Sequence, residues 1–409
     1  MQVAAIISAV IGNDVPVRVI AYDGSKAGPD SSEVAVRILT PHALARLATA
    51  PGTLGLARAY VMGEIEVEGE LYQLLDAMAD VTMHGISRPD QLRLARRMAP
   101  IWLKHRRPIP DLEHRPRGRL HSKLRDKGAI SHHYDVSNTF YEWVLGPSMA
   151  YTCAVFPSAD ATLEEAQAAK HELVAQKLAL KPGMRLLDVG CGWGGMVMHA
   201  AREHGVKALG VTLSRNQAEW AQRAIAERGL GDLAEVRHMD YRDAPEAQFD
   251  AISSIGLTEH IGSGRLAGYF GSLYARLRHG GRLLNHCITQ PRTPATAKVD
   301  PFIGRYVFPD GQLEPVGLLV TEMNDAGFEI RHEENLREHY ALTLKGWCDN
   351  LERHWDEAVA EVGIGRAKVW RLYMAASRLG FERDNIQLHQ VLGVKGEANG
   401  RSGFPLRGW

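Results

Sequence analysis

The sequence has no excess of charge of either sign and little cysteine, and each of these absences excludes a class of protein. Its 409 residues include 48 Lys and Arg and 48 Asp and Glu, so the formal net charge is zero. A nucleic-acid-binding protein that relies on a global positive field is therefore excluded. The four cysteines lie far apart and lack CxxC spacing. We accordingly expect neither a disulfide framework nor a metal site, and reduced thiols in a cytoplasmic protein.

Long apolar runs are also absent. No stretch of the sequence approaches the ~18–20 apolar residues that a membrane-spanning helix needs, so a lipid substrate would be reached from the aqueous side. The mildly apolar start, Met1–Ile11, has no positively charged region and is soon interrupted by Asp14. We interpret it as a first helix and not as a signal peptide.

The composition changes along the chain and predicts four regions. Residues 1–104 contain two short β-like runs, Val17–Tyr22 and Val34–Leu39, followed by helical patterns, and are expected to form a small α+β domain. Residues 105–127 are basic and proline-rich, which favours a solvated linker over a patch that binds anionic membranes, although one segment can be both. Residues 128–395 form the main domain, and the glycine-rich residues 396–409 are expected to be a flexible tail.

After residue 130 the pattern alternates between strand and helix. Predicted helices at Gly194–Glu203 and Asn216–Arg228 lie among apolar runs that predict strands, namely Met184–Val189, Ala208–Thr212, Ala234–His238, Asp250–Ser254 and Arg282–Cys287. Runs this continuous are typical of strands that are buried on both faces. They therefore predict a parallel sheet flanked by helices.

The segment LLDVGCGWGG, Leu186–Gly195, contains the strongest local signal for a ligand. An apolar strand containing Asp188 runs into glycines, which allow a tight turn and the close approach of a ligand to the backbone. The turn is expected at the carboxyl edge of the sheet and at a helix N-terminus, the usual ligand crevice of such folds. We therefore predict a nucleotide-type binding loop.

Two kinds of nucleotide are compatible with these glycines. Gly190, Gly192 and Gly195 match the GxGxxG spacing of dinucleotide-binding loops, which place an acidic residue about 20 residues further on. Here the second strand is followed by hydroxyls instead, on Thr212 and Ser214. An acidic residue ending the first strand and followed by GCGWG is typical of methyltransferases that use S-adenosylmethionine (SAM).

Several longer motifs occur together in one order. They are ISHHYDVSNTFYEWVLGPSMAYTCAVF (Ile130–Phe156), LLDVGCGWGG, GVTLSRNQ, SSIGLTEHIG (Ser253–Gly262), FIGRYVFPDGQL (Phe302–Leu313) and HYALTLKGW (His339–Trp347). Over about residues 120–395 the chain resembles the cyclopropane-fatty-acid synthase family, which includes the mycolic-acid methyltransferases. The earlier segment AYVMGEIEVEG is similar to the extra domain of longer bacterial members, which use it for lipid contact or dimer formation.

The resemblance implies a fold, a cofactor and a set of site residues. The fold is a doubly wound, seven-stranded α/β class I methyltransferase domain, with a helical cap from residues around 130–180 and 300–380. SAM would donate a methyl group to the cis double bond of an acyl chain, with a bicarbonate ion bound at the reacting centre. The family's SAM contacts fall on Tyr134, Tyr151, Thr152, Asp188, Gly190, Gly192, Thr212, Ser214, Gln217, Asp240 and Tyr241. Its bicarbonate cage, the catalytic set, falls on Cys153, Glu259, His286, Ile288 and Tyr340.

The reaction explains why such residues are needed. Methyl transfer to an alkene leaves a carbocation on the chain, which must be kept from water and must lose a proton. Glu259 is the obvious base from the residues alone, whereas the family pattern makes the bound oxyanion the general base. Taken singly, His286 would be a core histidine, and Cys153 has no activating base beside it in the sequence, so we assign it to the cage and not to nucleophilic catalysis. Aromatic residues compatible with either pocket walls or simple packing are Phe140, Tyr141, Trp143, Phe302, Tyr306 and Phe308.

The product and the partners are less closely defined by these patterns. Thr258 stands where many relatives have an aromatic residue, so either a cyclopropane or a methylene branch, which a partner reductase could reduce, remains open. A small-molecule methyltransferase and a non-catalytic lipid-binding protein are the alternatives from other classes. The resemblance implies phospholipid acyl chains as substrate, a peripheral position on the inner face of the membrane and a homo-oligomer, expected to be a dimer. No nucleic-acid partner is expected.

Overall fold

The structure is a computed structural model that describes residues 2–11, 15–50, 53–80, 103–105, 108–113, 125, 137–245, 248–292, 300–397 and 399–406. It divides into two compact units. The N-terminal unit comprises Met1–Arg115, Asp300–Pro309 and Trp355–Leu379, and the α/β unit comprises Pro116–Val299, Asp310–His354 and Gly380–Trp409. Residues 300–309 and 355–379, which the sequence-based division places in the main domain, are therefore part of the N-terminal unit.

The N-terminal unit has the expected α+β character. In chain order its first elements are α1 (Val3–Ile11), β1 (Arg18–Ala21), β2 (Lys26–Ala27), β3 (Ala35–Ile38), α2 (Pro41–Thr49), α3 (Thr53–Val61), β4 (Ile65–Glu68) and α4 (Leu71–Met78). The four strands form one sheet in the order β2-β1-β3-β4. Two buried ion pairs, Arg46 with Glu64 and Arg58 with Glu113, lie in this unit, and each buried charge therefore has a partner.

The chain then builds the α/β unit. Its first elements are α5 (Asn138–Leu145), α6 (Leu163–Leu178), β5 (Arg185–Val189), α7 (Gly195–His204), β6 (Lys207–Thr212), α8 (Arg215–Glu227), β7 (Ala234–His238), β8 (Phe249–Ile255), α9 (Leu266–Arg276) and β9 (Leu277–Gln290). The remaining elements of the chain are α10 (Pro301–Tyr306), β10 (Glu314–Pro315), α11 (Val316–Asp325), β11 (Glu329–Asn335), α12 (Arg337–Arg353), α13 (Trp355–Val362), α14 (Ile364–Glu382) and β12 (Gln387–Val394). Of these, α10, α13 and most of α14 belong to the N-terminal unit.

The sheet of the α/β unit confirms the predicted fold class. Seven strands follow the order β11-β12-β9-β8-β5-β6-β7, and the two-residue β10 pairs with β9 as an eighth. Strands β5 to β9 pair in parallel. The five strands that the sequence predicts are therefore parallel as expected, and two further strands complete one edge, where β12 runs antiparallel to β9 and β11 antiparallel to β12. The strand order reverses between β5 and β8, which is where open α/β sheets bind their ligands.

Burial explains why these segments become strands and helices. The β5 segment RLLDV is buried from Leu186 onward, and apolar clusters cover both faces of the sheet. Helix α6 begins at a capping box in which Thr162 and Glu165 satisfy each other's backbone N–H groups.

In the tail, Phe404 packs below the guanidinium groups of Arg282 and Arg331, so this part of the tail is docked on the α/β unit. Within the described residues, no helix combines the length and the apolar character needed to cross a bilayer.

Candidate functional site

The predicted glycine loop connects β5 to α7. Gly190 and Gly192 have φ angles of 73° and 55°, a region that glycine adopts without strain. The N–H groups of Gly190 and Cys191 both donate to the carbonyl of Val211, at 2.9 and 3.0 Å, and so tie the loop to β6. A Cβ atom added to Gly192 would meet no other atom within 4 Å. The space in front of this glycine is therefore open to a ligand.

The loop forms one wall of a cavity with about 900 Å³ of empty space, including its open mouth. Eight of the eleven predicted SAM contacts line it, namely Tyr151, Thr152, Asp188, Gly190, Gly192, Thr212, Gln217 and Tyr241. Ser214 lies behind this wall as the N-cap of α8 and accepts from the Gln217 N–H. Tyr134 lies outside the described residues.

Asp188 is the buried carboxylate of the cavity. Its Oδ1 accepts from the Ser253 hydroxyl at 2.6 Å, which fixes the side chain between β5 and β8. Burial raises the pKa of Asp188 to about 6, and the charge of Lys170 opposes that rise. The carboxylate is therefore ionised at neutral pH and ready to bind a positively charged ligand group.

Asp240 is engaged by a neighbouring side chain. Arg242 donates to both of its oxygens, from Nε to Oδ1 at 2.8 Å and from the terminal guanidinium nitrogen to Oδ2 at 2.6 Å. The ring of Tyr241 lies edge-on to Tyr269, with centroids 5.2 Å apart. Both residues follow β7 at the rim of the cavity, in the predicted order, but the Asp240 oxygens are shared with this arginine.

Lys170 on α6 also lines the cavity, and sequence reasoning missed it. Its ammonium is buried and donates to Thr152 Oγ1 at 3.0 Å, and it lies 3.0 Å from His171 Nε2. In the part of the chain that the structure describes, no carboxylate lies within 4 Å of it. Burial lowers the pKa of Lys170 to about 8. The cavity thus contains a buried cation whose hydrogen-bond partners are both neutral groups.

Glu259 lies in the short 3-10 turn Thr258–His260 that follows β8. Leu257, one residue before this turn, and His260 within it line the cavity, so the backbone of the turn borders it. Glu259 Oε1 accepts from the Ile288 N–H at 2.7 Å, whereas Oε2 is buried and has no hydrogen-bond partner among the described residues. Burial raises the pKa of Glu259 to about 7. One carboxylate oxygen of Glu259 is thus fixed by a backbone hydrogen bond, and the other is available to a ligand.

His286 has the same character on β9. Its Nδ1 lies 3.0 Å from the side-chain amide nitrogen of Gln390, while Nε2 is buried without a partner in the described structure. Burial and the charges of Lys170 and Lys177 lower the pKa of His286 well below its usual value, so the ring is neutral. Buried polar atoms are normally paired, so an unpaired Glu259 oxygen and an unpaired His286 nitrogen point to a missing polar ligand.

The other two cage residues are brought together by α12. The Cys153 thiol is buried, and its Sγ lies 3.8 Å from the carbonyl oxygen of Leu336, one residue before α12 begins. The neighbouring Ala154 N–H donates to the Thr343 hydroxyl on α12 at 2.9 Å. Tyr340, on the same helix, is buried and stacks on Phe381. Burial raises the pKa of the Cys153 thiol, which excludes a thiolate nucleophile at neutral pH.

Thr258 has a definite structural role. Its hydroxyl donates to Asn285 Oδ1 at 2.6 Å, and both side chains are buried. The turn that holds Glu259 is therefore tied to β9, one residue before His286. A hydroxyl at this position anchors the turn in a way that an aromatic ring could not.

The aromatic residues divide between the two units. Phe140 and Tyr141 are fully buried on α5, and the Tyr141 ring contacts Trp193 of the glycine loop with centroids 4.7 Å apart. Trp143 is partly exposed on the same helix. The other three belong to the N-terminal unit, where Phe302 packs on Tyr306 and Phe308 on Tyr373. Of these six residues, Tyr141 is the one for which the described structure gives a ring contact with the glycine loop.

A separate cluster could hold a metal ion. Glu172 on α6 and His199 and His204 on α7 have ligand atoms within 4.8 Å of one another. Both imidazole Nε2 atoms lie within hydrogen-bond distance of Glu172 Oε2, at 3.2 and 3.0 Å. Pairing between the two helices accounts for this arrangement.

The fold, the glycine loop at the reversal of strand order and the buried acidic residue that precedes it define a class I SAM-dependent methyltransferase. A family model described as mycolic acid cyclopropane synthetase matches residues 121–391. The chain belongs to this family, as the sequence motifs predict.

Named relatives agree with this assignment. The chain is 54% identical over 406 residues to a probable fatty acid methyltransferase from Mycobacterium tuberculosis, covering 96% of this chain and 94% of the relative. It is 36% identical over 281 residues to the cyclopropane-fatty-acyl-phospholipid synthase of Escherichia coli, covering 69% and 71%. The crystal structure of the mycolic acid cyclopropane synthase CmaA1 complexed with SAH and CTAB superimposes with a TM-score of 0.62 at 31% identity, covering 65% of this chain and 97% of that one.

Proposed function

We propose that the protein transfers a methyl group from SAM to the cis double bond of an unsaturated phospholipid acyl chain and closes a cyclopropane, with bicarbonate as the general base. The observation that carries the proposal is a pair of buried polar atoms without a partner among the described residues, Glu259 Oε2 in the turn that borders the cavity and His286 Nε2 on β9. The names of the relatives from M. tuberculosis and E. coli support a lipid acyl chain as the substrate.

The cavity residues fit SAM. When bound, SAM supplies an electrophilic methyl group on a sulfonium centre. Open space in front of Gly192 admits a ligand against the backbone. Asp188 supplies a buried negative charge for the cationic parts of SAM, and Lys170 a positive charge for its carboxylate. We propose that Tyr151, Thr152, Thr212, Gln217 and Tyr241 complete the contacts, with Ser214 and Asp240 behind them and Tyr134 assigned by the family pattern alone.

The cage residues fit a small oxyanion. When bound, bicarbonate supplies a base for the proton that the substrate must lose. The Nε2–H of His286 would donate to an oxygen of the bound anion, the ionised Glu259 Oε2 would accept from its hydroxyl, and Tyr340 would add a third polar group. Backbone groups at Cys153 and Ile288 complete the cage, although the Ile288 N–H already donates to Glu259. At a minimum, the Ile288 N–H therefore holds the Glu259 carboxylate in position.

Two products are possible, and they differ in the position from which the carbocation loses its proton. The double bond would attack the methyl carbon of SAM: a C–C bond forms as the S–CH₃ bond breaks, S-adenosylhomocysteine leaves, and a positive charge remains on the chain. Loss of a proton from the new methyl group closes the cyclopropane, whereas loss from elsewhere gives a methylene branch, which a reductase would have to convert to a methyl branch. The fatty acid methyltransferase name of the M. tuberculosis relative favours this second product as the alternative.

The remaining expectations about place and assembly are part of the same proposal. A phospholipid substrate requires contact with a bilayer surface, so we propose a peripheral position on the cytoplasmic face of the membrane. Homodimer formation and lipid contact are assigned to the N-terminal unit on the family resemblance.

The test is incubation of the purified full chain with methyl-labelled SAM and vesicles of cis-monounsaturated phospholipid, followed by mass spectrometry of released fatty acids. We expect a gain of one CH₂ with no remaining double bond. The same gain in mass with a double bond that can still be reduced would show the methylene-branching alternative. Label in free small molecules but not in lipid would contradict a lipid substrate.

The buried cation in the cavity gives a separate prediction. In Lys170→Met we expect the affinity for SAM to fall about 10- to 150-fold, since a charge-assisted hydrogen bond contributes about 1.5–3 kcal/mol. Isothermal titration calorimetry would measure this fall. Decarboxylated SAM should bind the variant and the wild type equally well, because it lacks the anionic group. An equal loss for both ligands would show that Lys170 supports the cavity without contacting the carboxylate.

A further inference from the structure

Three buried side chains form a hydrogen-bonded relay that ends at His286. Lys177 on α6 donates to Gln390 Oε1 at 2.6 Å. The Gln390 side-chain nitrogen lies 3.0 Å from His286 Nδ1. Gln390 on β12 and His286 on β9 are directly paired in the sheet, so the backbone holds the two side chains side by side. All three residues are fully buried or nearly so.

The direction of every bond in this relay is determined by its first member. A lysine ammonium can only donate, so the Gln390 oxygen must face Lys177 and its NH₂ group must face the imidazole. The NH₂ group can only donate, so His286 Nδ1 must be the acceptor. A neutral imidazole with Nδ1 as acceptor has its proton on Nε2. The relay thus selects one of the two histidine tautomers.

The groups that α6 and β12 place around the ring disfavour its protonated form as well, whereas the acidic groups, Glu259 and the proposed anion, would face Nε2. Lys170, Lys177 and His171, all on α6, lie near His286, and none of them is acidic. From β12 the ring meets the Gln390 amide. Glu334 on β11 compensates the charge of Lys177 at 2.5 Å, on the far side of the relay from His286. If Nδ1 carried a proton, that N–H would face the NH₂ of Gln390, and two donors cannot form a hydrogen bond. If the amide were turned over to accept from Nδ1–H, its NH₂ would face the Lys177 ammonium, which is also a donor.

We propose that Lys177 and Gln390 are positioning residues that hold His286 as its neutral Nε2–H tautomer, so that the Nε2–H is a permanent donor to the anion beside Glu259. The role toward the anion rests on the proposed function, whereas the tautomer does not. This arrangement answers a chemical need of the site: a base must be bound by a donor that does not itself lose or supply the proton. A neutral imidazole with a fixed N–H meets that need.

The tautomer is tested first, by nitrogen NMR of the wild-type full chain labelled with ¹⁵N-histidine. The chain has 18 histidines, and the signals of His286 are assigned by their absence in His286→Gln. We expect an acceptor-type shift for Nδ1 and an N–H-type shift for Nε2, unchanged across neutral pH. Protonation at Nδ1 would overturn the proposal, whether or not the enzyme methylates lipids.

The positioning role is tested by Gln390→Glu. A carboxylate accepts from both Lys177 and the Nδ1–H, so His286 becomes either the opposite tautomer, which has no Nε2–H, or an imidazolium. We expect methyl transfer at pH 8 to fall about 100-fold, the scale of losing one oriented donor. The ratio of variant to wild-type activity should rise as the pH falls, because the imidazolium regains the Nε2–H. A ratio that is the same at every pH would show a merely structural role and overturn the proposal.

A matched control comes from the opposite face of the same two strands. The Thr289 hydroxyl lies 2.7 Å from His389 Nδ1, so Thr289→Val also breaks a buried hydrogen bond between β9 and β12. It should leave both the His286 nitrogen shifts and the pH dependence of activity unchanged. If Gln390→Glu fails to fold, Lys177→Gln serves instead: its amide can present either end, so we expect NMR to show a mixture of His286 tautomers, and a single unchanged tautomer would contradict the relay. Vesicle methylation by the wild type reports separately on the proposed function.

Discussion

Replacing Glu259 with glutamine is expected to reduce methyl transfer about 1000-fold while SAM affinity stays within about threefold of the wild type. Glutamine preserves the shape of the side chain and an oxygen that can accept from the Ile288 N–H. It cannot take up a proton, and it cannot combine that bond with a second acceptor at the position of Oε2. Single-turnover assays with vesicles would measure the first quantity and calorimetry with SAM the second.

The pH dependence of the wild type should have a defined sign. Burial raises the pKa of Glu259 to about 7. Whether Glu259 is itself the base or accepts from the hydroxyl of bicarbonate, it must be ionised. Activity should therefore rise as the pH increases through about 7, at a fixed concentration of bicarbonate ion, and the residual activity of Glu259→Gln should not.

Controls separate this role from a general effect of losing a carboxylate. Glu172→Gln removes a partly buried acid that lies outside the cavity, and it should leave methyl transfer unchanged. Wild-type activity in buffer stripped of bicarbonate should approach that of Glu259→Gln if the anion is the base, and an unchanged rate would assign the base to Glu259 itself. Loss of SAM binding in Glu259→Gln would contradict the separation of cofactor and anion sites.

Much of the cofactor side of the molecule is predictable from local sequence. The apolar strand that carries Asp188 and the glycines after it have a spacing that the backbone geometry of the loop requires, so this spacing alone identifies the loop. The bounds of β7, Ala234–His238, are those that the sequence predicts. Apolar runs buried on both faces leave few alternatives to a parallel sheet. These features depend on neighbours in sequence, and sequence therefore reports them.

The features that sequence did not reveal depend on tertiary burial. β11 has the sequence EIRHEEN, whose charged residues do not indicate a strand, and it becomes one because β12 pairs with it at the edge of the sheet. Charged residues are spread along the whole sequence of helix α6, LEEAQAAKHELVAQKL, yet Lys170 and Lys177 are buried once the helix packs on the sheet. The positions of these two lysines in the sequence do not distinguish them from lysines on the surface. The role of Gln390 likewise depends on strand pairing, because it lies beside His286 only through the register of β12 with β9.

Removing the charge of Asp188 should have the largest effect on cofactor binding. In Asp188→Asn we expect SAM affinity to fall about 30-fold or more, because the loss of one partner of a buried charge pair costs about 2–5 kcal/mol. The amide can still accept from Ser253, so the fold of the loop should be preserved. Calorimetry would measure the affinity, and thermal unfolding would check that the variant is folded.

The pH dependence of SAM binding provides the sharper form of this test. Burial raises the pKa of Asp188 to about 6, so the carboxylate is charged above that pH and neutral below it. Wild-type affinity for SAM should therefore fall as the pH decreases through about 6, whereas the affinity of Asp188→Asn should stay low and flat. Asp250→Asn, at the opposite end of β8 where Asp250 accepts from the Arg185 N–H, is the charge-matched control and should bind SAM as the wild type does. Normal affinity in Asp188→Asn would remove the glycine loop and its acidic residue from the cofactor site, and with them the basis for placing SAM in this cavity.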